Sequence, residues 1–317
     1  MKVIDIIHNA KRPLFTFELL PPLKGKNINS VFSVVETLRK FEPAYINFTY
    51  HQQEIIFKER PDGLMDRHVI RKRPGTIALS AAVKNKFDID VVPHIICGGF
   101  SREETEDALI ELQFLGIDNV FALRGDPPKG ERRFTPHTHG YAHTDKLVEQ
   151  IQHMNQGKYL DEALLNPEPT GFCVGVAGYP EKHFESPNME QDLRMLKRKV
   201  DAGADYIVTQ MFFINQHYFD FVDRCREIDI TVPIIPGVKP ISKLSDINLL
   251  PQTFSIDLPE DLVDAVSRCR TNREVRRIGV EFTTRQSREL LAGGAPGIHY
   301  YTLGKAKNIA EIVKEVF

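Results

Sequence analysis

One glutamate stands where an α/β protein could hold a general acid. Glu18 has the apolar neighbours Phe17, Leu19 and Leu20 and is followed by two prolines. Burial among apolar groups disfavours a charged carboxylate and raises its pKa. A carboxylic acid with a raised pKa can donate a proton near neutral pH. A salt-bridged glutamate at a strand end fits the same position equally well, so both interpretations stay open.

The most informative local string is Ala122-Leu123-Arg124-Gly125-Asp126-Pro127-Pro128. Arg124 offers a planar fork of donors that suits phosphate. Gly125 allows the backbone to approach a ligand closely. Asp126 can hold a polar heterocycle, and the two prolines stiffen the turn.

Three further groups have both a functional and a structural interpretation. His94 lies inside an apolar run and could contact a cofactor, although a core histidine bonded to the backbone is the commoner case. Gln210 precedes the aromatic pair Phe212-Phe213, which suits stacking on a flat ligand or plain core packing. Asp192 and Lys199 lie seven residues apart on a predicted helix and so point nearly the same way, where a solvated ion pair is the simpler interpretation.

Three histidines at short spacing raise the question of a metal. His137, His139 and His143 lie in the long stretch between Gly125 and His143. Neither a cysteine nor a cluster of acidic residues accompanies them in the sequence. The sequence therefore predicts a flexible polar loop and no metal site.

The elements that must position these residues alternate between strands and helices. Repeated strand–helix order implies parallel strands, and eight such units suit a closed (β/α)8 TIM barrel with its active site at the carboxyl ends of the strands. An open doubly wound sheet is the alternative, but no Gly-x-Gly-x-x-Gly follows any strand. The predicted strands are Leu14–Leu19, Tyr45–Tyr50, Val91–Cys97, Asn119–Leu123, Phe172–Ala177, Tyr206–Thr209, Val232–Pro236 and Ile298–Thr302.

Local signals place several helix ends. Ser101 and Glu104 form a predicted capping box at the start of one helix, and Gly116 is placed to stop that helix in the left-handed conformation. Ser186-Pro187 is predicted to open another helix, because proline at the first helical position loses no hydrogen bond.

Composition narrows the class of protein. The 317 residues suit one barrel domain spanning 1–317, and no Pro/Gly/Ser-rich linker divides them. The formal net charge of -2 argues against a nucleic-acid partner. No apolar run is long enough for a membrane span, and the N-terminus becomes polar too early for a signal peptide. Four widely spaced cysteines suit reduced thiols in a cytoplasmic protein.

Taken in order, these strings resemble the methylenetetrahydrofolate reductase family, in a bacterial form that consists of the catalytic barrel only. Any one match is weak, but the ordered set spans nearly the whole chain. The matching pieces are Phe15–Pro22, Asn47–Tyr50, Pro93-His94, Ala122–Pro128, Ala177–His183, Leu196–Ala204, Thr209–Phe213 and Pro236–Pro240.

The resemblance implies a non-covalent FAD at the mouth of the barrel. Glu18 matches the family's general acid, Asp126 matches the aspartate between flavin and pterin, and Gln210 matches a glutamine that contacts the substrate. Leu244 and Lys305 align with two further substrate contacts, where the family often has an aromatic residue and an arginine. The residues that align with FAD contacts are Thr49, His94, Arg124, Gly125, Asp126, Tyr141, Ala177, Tyr179, His183, Asp192 and Lys199.

The family's ping-pong scheme is implied with them. NAD(P)H reduces the flavin and leaves, 5,10-methylenetetrahydrofolate takes its place, and Glu18 donates the proton that helps to open the methylene bridge before hydride transfer gives 5-methyltetrahydrofolate. The flavin supplies the hydride chemistry, and the protein supplies position and protons. The sequence shows no arginine cluster for a 2′-phosphate, which favours NADH over NADPH. Family members commonly form homo-oligomers.

Two features here depart from this resemblance, and two alternatives compete with it. The segment from His51 to Glu54 replaces a small Gly/Ser-rich turn, and Lys305 gives a point charge in place of a bidentate fork. One alternative is a non-catalytic barrel that binds folate or flavin as a partner subunit. Another is a barrel aldolase or lyase, for which Lys239 is the candidate Schiff-base lysine.

Overall fold

The computed structural model describes residues 1–51, 53–127, 131, 133–302 and 304–317. Pro128, which ends the Ala122–Pro128 string, and Gln52, in the loop after Tyr50, lie outside these residues. The strands are β1 (Leu14–Leu19), β2 (Ile46–Phe48), β3 (Glu54–Glu59), β4 (Met65–Ile70), β5 (Val91–Ile96), β6 (Asn119–Leu123), β7 (Cys173–Gly178), β8 (Tyr206–Thr209), β9 (Ile234–Ile235), β10 (Gly237–Val238) and β11 (Gly297–Tyr301).

The helices cover the outside of the sheet and one of its ends. They are α1 (Val3–Asn9), α2 (Asn29–Leu38), α3 (Ile77–Phe87), α4 (Arg102–Phe114), α5 (Thr144–Asn155), α6 (Met189–Asp201), α7 (Asn215–Glu227), α8 (Asp246–Phe254), α9 (Glu260–Ser267), α10 (Asn272–Ala292) and α11 (Ala306–Val316).

The large sheet closes into a parallel barrel, as the strand–helix alternation predicts. Its strand order is β10-β11-β1-β2-β5-β6-β7-β8-β9. The two ends of this order, β9 and β10, are halves of one strand separated by Pro236, which has no N–H to donate to a ladder. The backbone N–H of His299 donates to the carbonyl of Pro236 at 2.9 Å. Closure excludes the open doubly wound sheet.

Two apolar layers hold the barrel together. The larger layer lies between the strands and the surrounding helices and includes Phe17, Phe48 and Phe212. A smaller cluster fills the barrel interior with side chains such as Tyr45 and Tyr206, and Val3 of α1 packs against its amino-terminal end. Side chains therefore fill the amino-terminal end of the barrel.

Most predicted helix ends agree with the structure, and one is wrong. Ser101 and Glu104 form the predicted capping box, and Gly116 takes the predicted left-handed conformation, with φ of 66°. However, α6 begins at Met189 and not at Ser186-Pro187. The side chain of Asn188 accepts a hydrogen bond from the N–H of Gln191, so asparagine capping, and not proline, sets this start.

A hairpin that the sequence analysis did not predict follows β2. Strands β3 and β4 pair antiparallel across the turn that contains Pro61-Asp62-Gly63. Gly63 has a φ of 80°, which glycine adopts at little cost, and Pro-Asp-Gly between two apolar runs is a recognisable turn signal. One face of the hairpin carries Phe57, Met65 and Val69, all largely exposed. The segment is thus an arm that projects from the barrel mouth.

Helices α1 and α8 were not predicted either. Helix α8 contains Pro251, and its buried Leu250 packs in a separate apolar cluster with α9 and α10. Tertiary packing therefore maintains a helix that local propensity disfavours. Within the described residues, no helix is long and apolar enough to cross a membrane.

Candidate functional site

A deep cavity opens at the carboxyl ends of the barrel strands. Its volume is about 1270 Å³, larger than the cavities that hold most drug-sized ligands. Most of the residues singled out from the sequence meet on its wall, although they lie as far apart as positions 18 and 305. These lining residues are Glu18, Thr49, His94, Arg124, Gly125, Asp126, Ala177, Tyr179, His183, Asp192, Lys199, Gln210 and Lys305.

Glu18 lies at the floor of the cavity. Its side chain is 12% exposed, and burial raises its pKa to about 7. The backbone carbonyl of Glu18 accepts a hydrogen bond from the Thr302 hydroxyl at 2.7 Å, which fixes this strand end against the last strand. At neutral pH a substantial fraction of Glu18 therefore carries a proton, as a general acid requires. The alternative of a salt-bridged glutamate at a strand end is not supported, because among the described residues neither a lysine nor an arginine pairs with Glu18.

His94 lies beside Glu18 and is uncharged. Its Nε2 atom is 3.7 Å from Oε2 of Glu18 and 3.2 Å from Nδ2 of Asn47. Burial, together with the smaller effects of the nearby His299 and His51, lowers the pKa of His94 to about 3. The Nδ1 atom of His94 is buried, and the part of the chain that the structure describes offers it no hydrogen-bond partner. His94 is thus a neutral polar group with hydrogen-bonding capacity to spare.

The loop after β6 presents a cation and an anion to the cavity. The guanidinium of Arg124 donates to the carboxylate of Glu185 and lies 4.8 Å from the centre of the Phe134 ring. Gly125 has a φ of 86°, a backbone conformation that glycine adopts readily. Asp126 is exposed on the cavity wall. Within the described residues, no hydrogen bond or ion pair engages its carboxylate.

A second polar group is built from β7 and α6. The ammonium of Lys199 donates to the carbonyl of Ala177 at 2.6 Å, and burial lowers the pKa of Lys199 to about 8. Asp192 is buried and accepts a hydrogen bond from the hydroxyl of Ser186 at 2.7 Å. Asp192 and Lys199 therefore do not form the solvated ion pair that was considered from the sequence. Both groups face the cavity, as does His183, whose ring packs edge-on against Tyr179.

Gln210 follows β8 and has its amide group partly engaged. Its Oε1 atom accepts from the backbone N–H of Met211 at 2.9 Å, which leaves the amide NH₂ for a ligand. The neighbouring Thr209 carbonyl accepts from the Tyr301 hydroxyl at 2.7 Å. Gly237 allows this close packing, since a Cβ there would lie 2.2 Å from the carbonyl oxygen of Thr209.

Three of the expected contact residues lie at or beyond the edge of the cavity. Lys305 is exposed and donates to the hydroxyl of Ser242 at 3.3 Å. Leu244 does not line the cavity but packs in the α8–α10 cluster. Tyr141 is also outside the lining, and its ring lies 5.2 Å from the Arg102 guanidinium. The three loop histidines are exposed.

Sequence reasoning missed several polar groups that shape the site. Asn47 belongs to a motif that was noted, but its contact with His94 depends on the pairing of β2 with β5. Glu185 accepts a hydrogen bond from Arg124, which lies 61 positions before it in the sequence. No local signal indicates that pairing. Lys239 was considered as a Schiff-base lysine, but its ion pair with Asp246 was not expected: Nζ of Lys239, on the cavity wall, is 3.7 Å from Oδ2 of Asp246.

The cavity suits a large, polar, phosphate-bearing ring system such as FAD. Arg124, His183 and Lys199 lie together on one part of its wall. Among the described residues, the buried Oη of Tyr50 and Nδ1 of His94 have no hydrogen-bond partner. Buried polar atoms are rarely left unpaired, so these atoms are available to a ligand.

The fold and the cavity define an α/β barrel whose ligand site lies at the carboxyl ends of its strands. The sequence profile of the family described as methylenetetrahydrofolate reductase matches residues 2–316. The chain therefore belongs to the methylenetetrahydrofolate reductase family, as the ordered motifs indicated.

Individual relatives agree with this assignment. The chain is 31% identical to methylenetetrahydrofolate reductase (NADH) 1 of Arabidopsis thaliana, over 99% of this chain and 50% of the plant protein. It is 27% identical to 5,10-methylenetetrahydrofolate reductase of Escherichia coli, over 92% of this chain and 86% of the bacterial protein. The chain spans about half the length of the plant relatives that it matches.

Solved structures support the fold. An uncharacterized protein from Clostridium thermocellum that binds two copies of 5-methyl-5,6,7,8-tetrahydrofolic acid has a TM-score of 0.57 at 14% identity, covering 98% of this chain and 97% of that one. EDTA monooxygenase from Chelativorans sp. BNC1 has a TM-score of 0.54 at 13% identity, with 96% and 95% covered.

Proposed function

We propose that this protein reduces 5,10-methylenetetrahydrofolate to 5-methyltetrahydrofolate, with FAD as its bound cofactor and NADH as its reductant. The observation that carries the proposal is the buried Glu18, whose pKa is raised to about 7 at the floor of a cavity lined by the family's other motif residues. Membership of the family supports the reaction type. When bound, FAD would accept a hydride from NADH and return it to the folate.

Glu18 would supply the proton of the folate step. Opening the methylene bridge leaves a nitrogen that must be protonated, and Glu18 lies on the cavity floor with a pKa suited to that transfer. His94 cannot take this role at neutral pH, because it is already neutral and its pKa is about 3. His94 and Asn47 would instead orient the acid or the ligand.

Asp126 and Gln210 would orient the pterin. The carboxylate of Asp126 has no partner within the described residues and can accept hydrogen bonds from the amino groups of a pterin ring. The free amide NH₂ of Gln210 can donate to the substrate from another part of the cavity wall. Two groups of opposite hydrogen-bonding character would thus set the orientation of one flat ring.

The remaining motif residues would hold FAD. Arg124, His183 and Lys199 would face its phosphates and ribityl chain, which suits their charge. Thr49, His94, Gly125, Ala177, Tyr179 and Asp192 also line the cavity. Tyr141 lies outside the lining, and its contact would require a shift of the loop that carries it.

Two observations bear on the reductant. Relatives carry names that specify NADH in Arabidopsis thaliana and NADPH in Caenorhabditis elegans. Arg73 donates to the carbonyl of Pro21 and Arg124 to Glu185. Arg124 is also assigned to FAD, so the described cavity wall offers no arginine cluster for a 2′-phosphate, which favours NADH. The homo-oligomeric state and the cytoplasmic location expected from the sequence stay predictions.

A simple spectroscopic experiment tests the proposal. The purified protein should be yellow, should bleach on addition of NADH without oxygen, and should regain its colour with 5,10-methylenetetrahydrofolate. A yellow protein that does not turn over would indicate the non-catalytic binding barrel. A colourless protein would favour the lyase with Lys239, and borohydride trapping of a carbonyl substrate on Lys239 would establish it.

A further inference from the structure

Outside the cavity, three side chains with metal-binding groups meet at one point. Glu181 lies in the loop after β7, His217 is the third residue of α7, and Asp257 follows α8. One ligand atom from each lies within 4.8 Å of the other two. None of the three lines the large cavity. From this geometry we propose that Glu181, His217 and Asp257 bind a divalent transition-metal ion of the Zn²⁺ type.

The hydrogen bonds of the cluster leave ligand atoms free. Oε1 of Glu181 accepts from the backbone N–H of Asp257 at 2.7 Å and is 3.1 Å from Nδ1 of His217. Oε2 of Glu181 is buried and has no hydrogen-bond partner among the described residues. A buried carboxylate oxygen without a partner costs free energy, and a cation between these atoms would remove that cost.

The charge of the cluster also favours a cation. Two carboxylates meet one imidazole, and the Glu181 side chain is only 11% exposed. Among the described residues, neither a lysine nor an arginine forms an ion pair with Glu181 or Asp257. A divalent ion would balance both carboxylates and would stabilise the largely buried charge of Glu181, since buried charges are commonly paired or bound to a metal.

The donor set selects the ion. Imidazole nitrogen with carboxylate oxygen suits Zn²⁺ and its neighbours, whereas Mg²⁺ prefers oxygen ligands alone. In a tetrahedral site, two ligand atoms about 2.1 Å from one ion lie about 3.4 Å apart. The three ligand atoms lie within 4.8 Å of one another, so metal binding would draw them together by up to about 1.4 Å. Asp257 is exposed, which leaves its side chain room for that movement. Three protein ligands leave a fourth position for water.

The ion would connect three separate segments. Glu181 lies between Tyr179 and His183, both of which line the cavity. His217 belongs to α7, and Asp257 belongs to the connection between α8 and α9. Bound metal would thus fix the Tyr179–His183 loop to two neighbouring elements. Because the folded chain alone presents all three ligands, binding would also raise the thermal stability by mass action.

The experiment measures Zn²⁺ binding and thermal unfolding of the purified, chelator-treated protein. Equilibrium dialysis should find one Zn²⁺ per chain, and Zn²⁺ should raise Tm while Mg²⁺ at the same concentration should not. Asp257→Asn changes an exposed residue, so it should fold normally, yet it should weaken Zn²⁺ binding by at least tenfold. Glu181→Gln should do the same and gives a second variant.

His139→Asn is the matched control, because it removes an exposed histidine from the three-histidine loop. This control should bind Zn²⁺ as the wild type does. Three results would overturn the proposal: no stoichiometric binding by the wild type, unchanged affinity in Asp257→Asn, or loss of binding in His139→Asn. None of these readouts requires the reductase activity.

Discussion

Oε2 of Glu18 and Nε2 of His94 lie 3.7 Å apart, and burial moves their pKa values in opposite directions. The pKa of Glu18 rises to about 7, and that of His94 falls to about 3. Near pH 7 the histidine is therefore neutral and cannot stabilise the carboxylate by charge. This is why the contact leaves Glu18 protonatable and does not convert it into a buried ion pair.

The first prediction concerns the pH dependence of folate reduction. The rate of the folate half-reaction should fall as the pH rises through about 7, because Glu18 loses its proton there. Glu18→Gln should lower this rate by about 10²- to 10⁴-fold and remove that limb of the profile. FAD binding and NADH oxidation with an artificial acceptor should persist.

Stopped-flow measurement of each half-reaction tests this expectation. Glu54→Gln is the matched control, because Glu54 also lines the cavity but pairs with Lys72. A wild-type rate of folate reduction in Glu18→Gln would falsify the assignment of Glu18 as the acid.

The second prediction concerns stability. The pKa of Glu18 is higher in the folded protein than the ordinary value of 4.5. Folding therefore favours the protonated form of Glu18, and the free energy of unfolding decreases as the pH rises from about 4.5 through about 7. The loss amounts to on the order of 3 kcal/mol. Glu18→Gln should unfold at a higher denaturant concentration than the wild type at pH 8, with a smaller advantage at pH 5.

His94 changes the stability with pH in the opposite direction. Its pKa is lowered from 6.5 to about 3, so its contribution is present above pH 6.5 and is lost as the pH falls towards 3. This loss affects the wild type and Glu18→Gln alike and cancels in the comparison. Equal differences in the free energy of unfolding at pH 5 and pH 8 would contradict the burial penalty at Glu18.

The third prediction is that Asp126→Asn impairs folate reduction more than NADH oxidation. The amide keeps the shape but loses the charge that strengthens hydrogen bonds from the pterin. Loss of the negative charge should also raise the flavin midpoint potential, which eases reduction by NADH and makes the reduced flavin a poorer hydride donor. The midpoint potential and both half-reaction rates should be measured. An unchanged potential with equal losses in both half-reactions would rule out this role.

The fourth prediction concerns FAD affinity. The pKa of Lys199 is lowered to about 8 by burial, so its ammonium is lost at moderately alkaline pH. FAD binding should weaken between pH 7 and pH 9, and Lys199→Met should weaken it by roughly 10- to 100-fold at pH 7, as expected for a charged hydrogen bond. Lys197→Met is the control, since Lys197 lies on the same helix but pairs with Asp201. Similar FAD dissociation constants for the two variants would argue against a contact from Lys199.

The fifth prediction concerns the loop histidines. His137, His139 and His143 are exposed, and the proposed reaction is complete without a metal. Activity should survive treatment with a chelator, whether or not the separate Glu181 cluster binds zinc. The decisive result against this prediction would be activity that is lost on chelation, restored by zinc, and abolished by His139→Asn.

Some features of this protein follow from the sequence alone. Periodicity predicted β1 as Leu14–Leu19 and β6 as Asn119–Leu123, and these bounds are confirmed. Local sequence also predicted the capping box at Ser101 and the left-handed residue Gly116 after the same helix, because both features involve neighbours within a few residues. The eight strand–helix units indicated the barrel, and the ordered motifs indicated the family. Each of these signals is short-range or repeats regularly along the chain.

Other features were decided only by the tertiary structure. Helix α8 forms around Pro251 because its apolar face is buried against α9 and α10. The displacement of Leu244 from the cavity follows from the same cluster. The Glu18–His94 contact and the Arg124–Glu185 pair join residues 76 and 61 positions apart. Burial and long-range pairing set the pKa values of the site, and neither can be read from local sequence, because both depend on which strands become neighbours when the barrel closes.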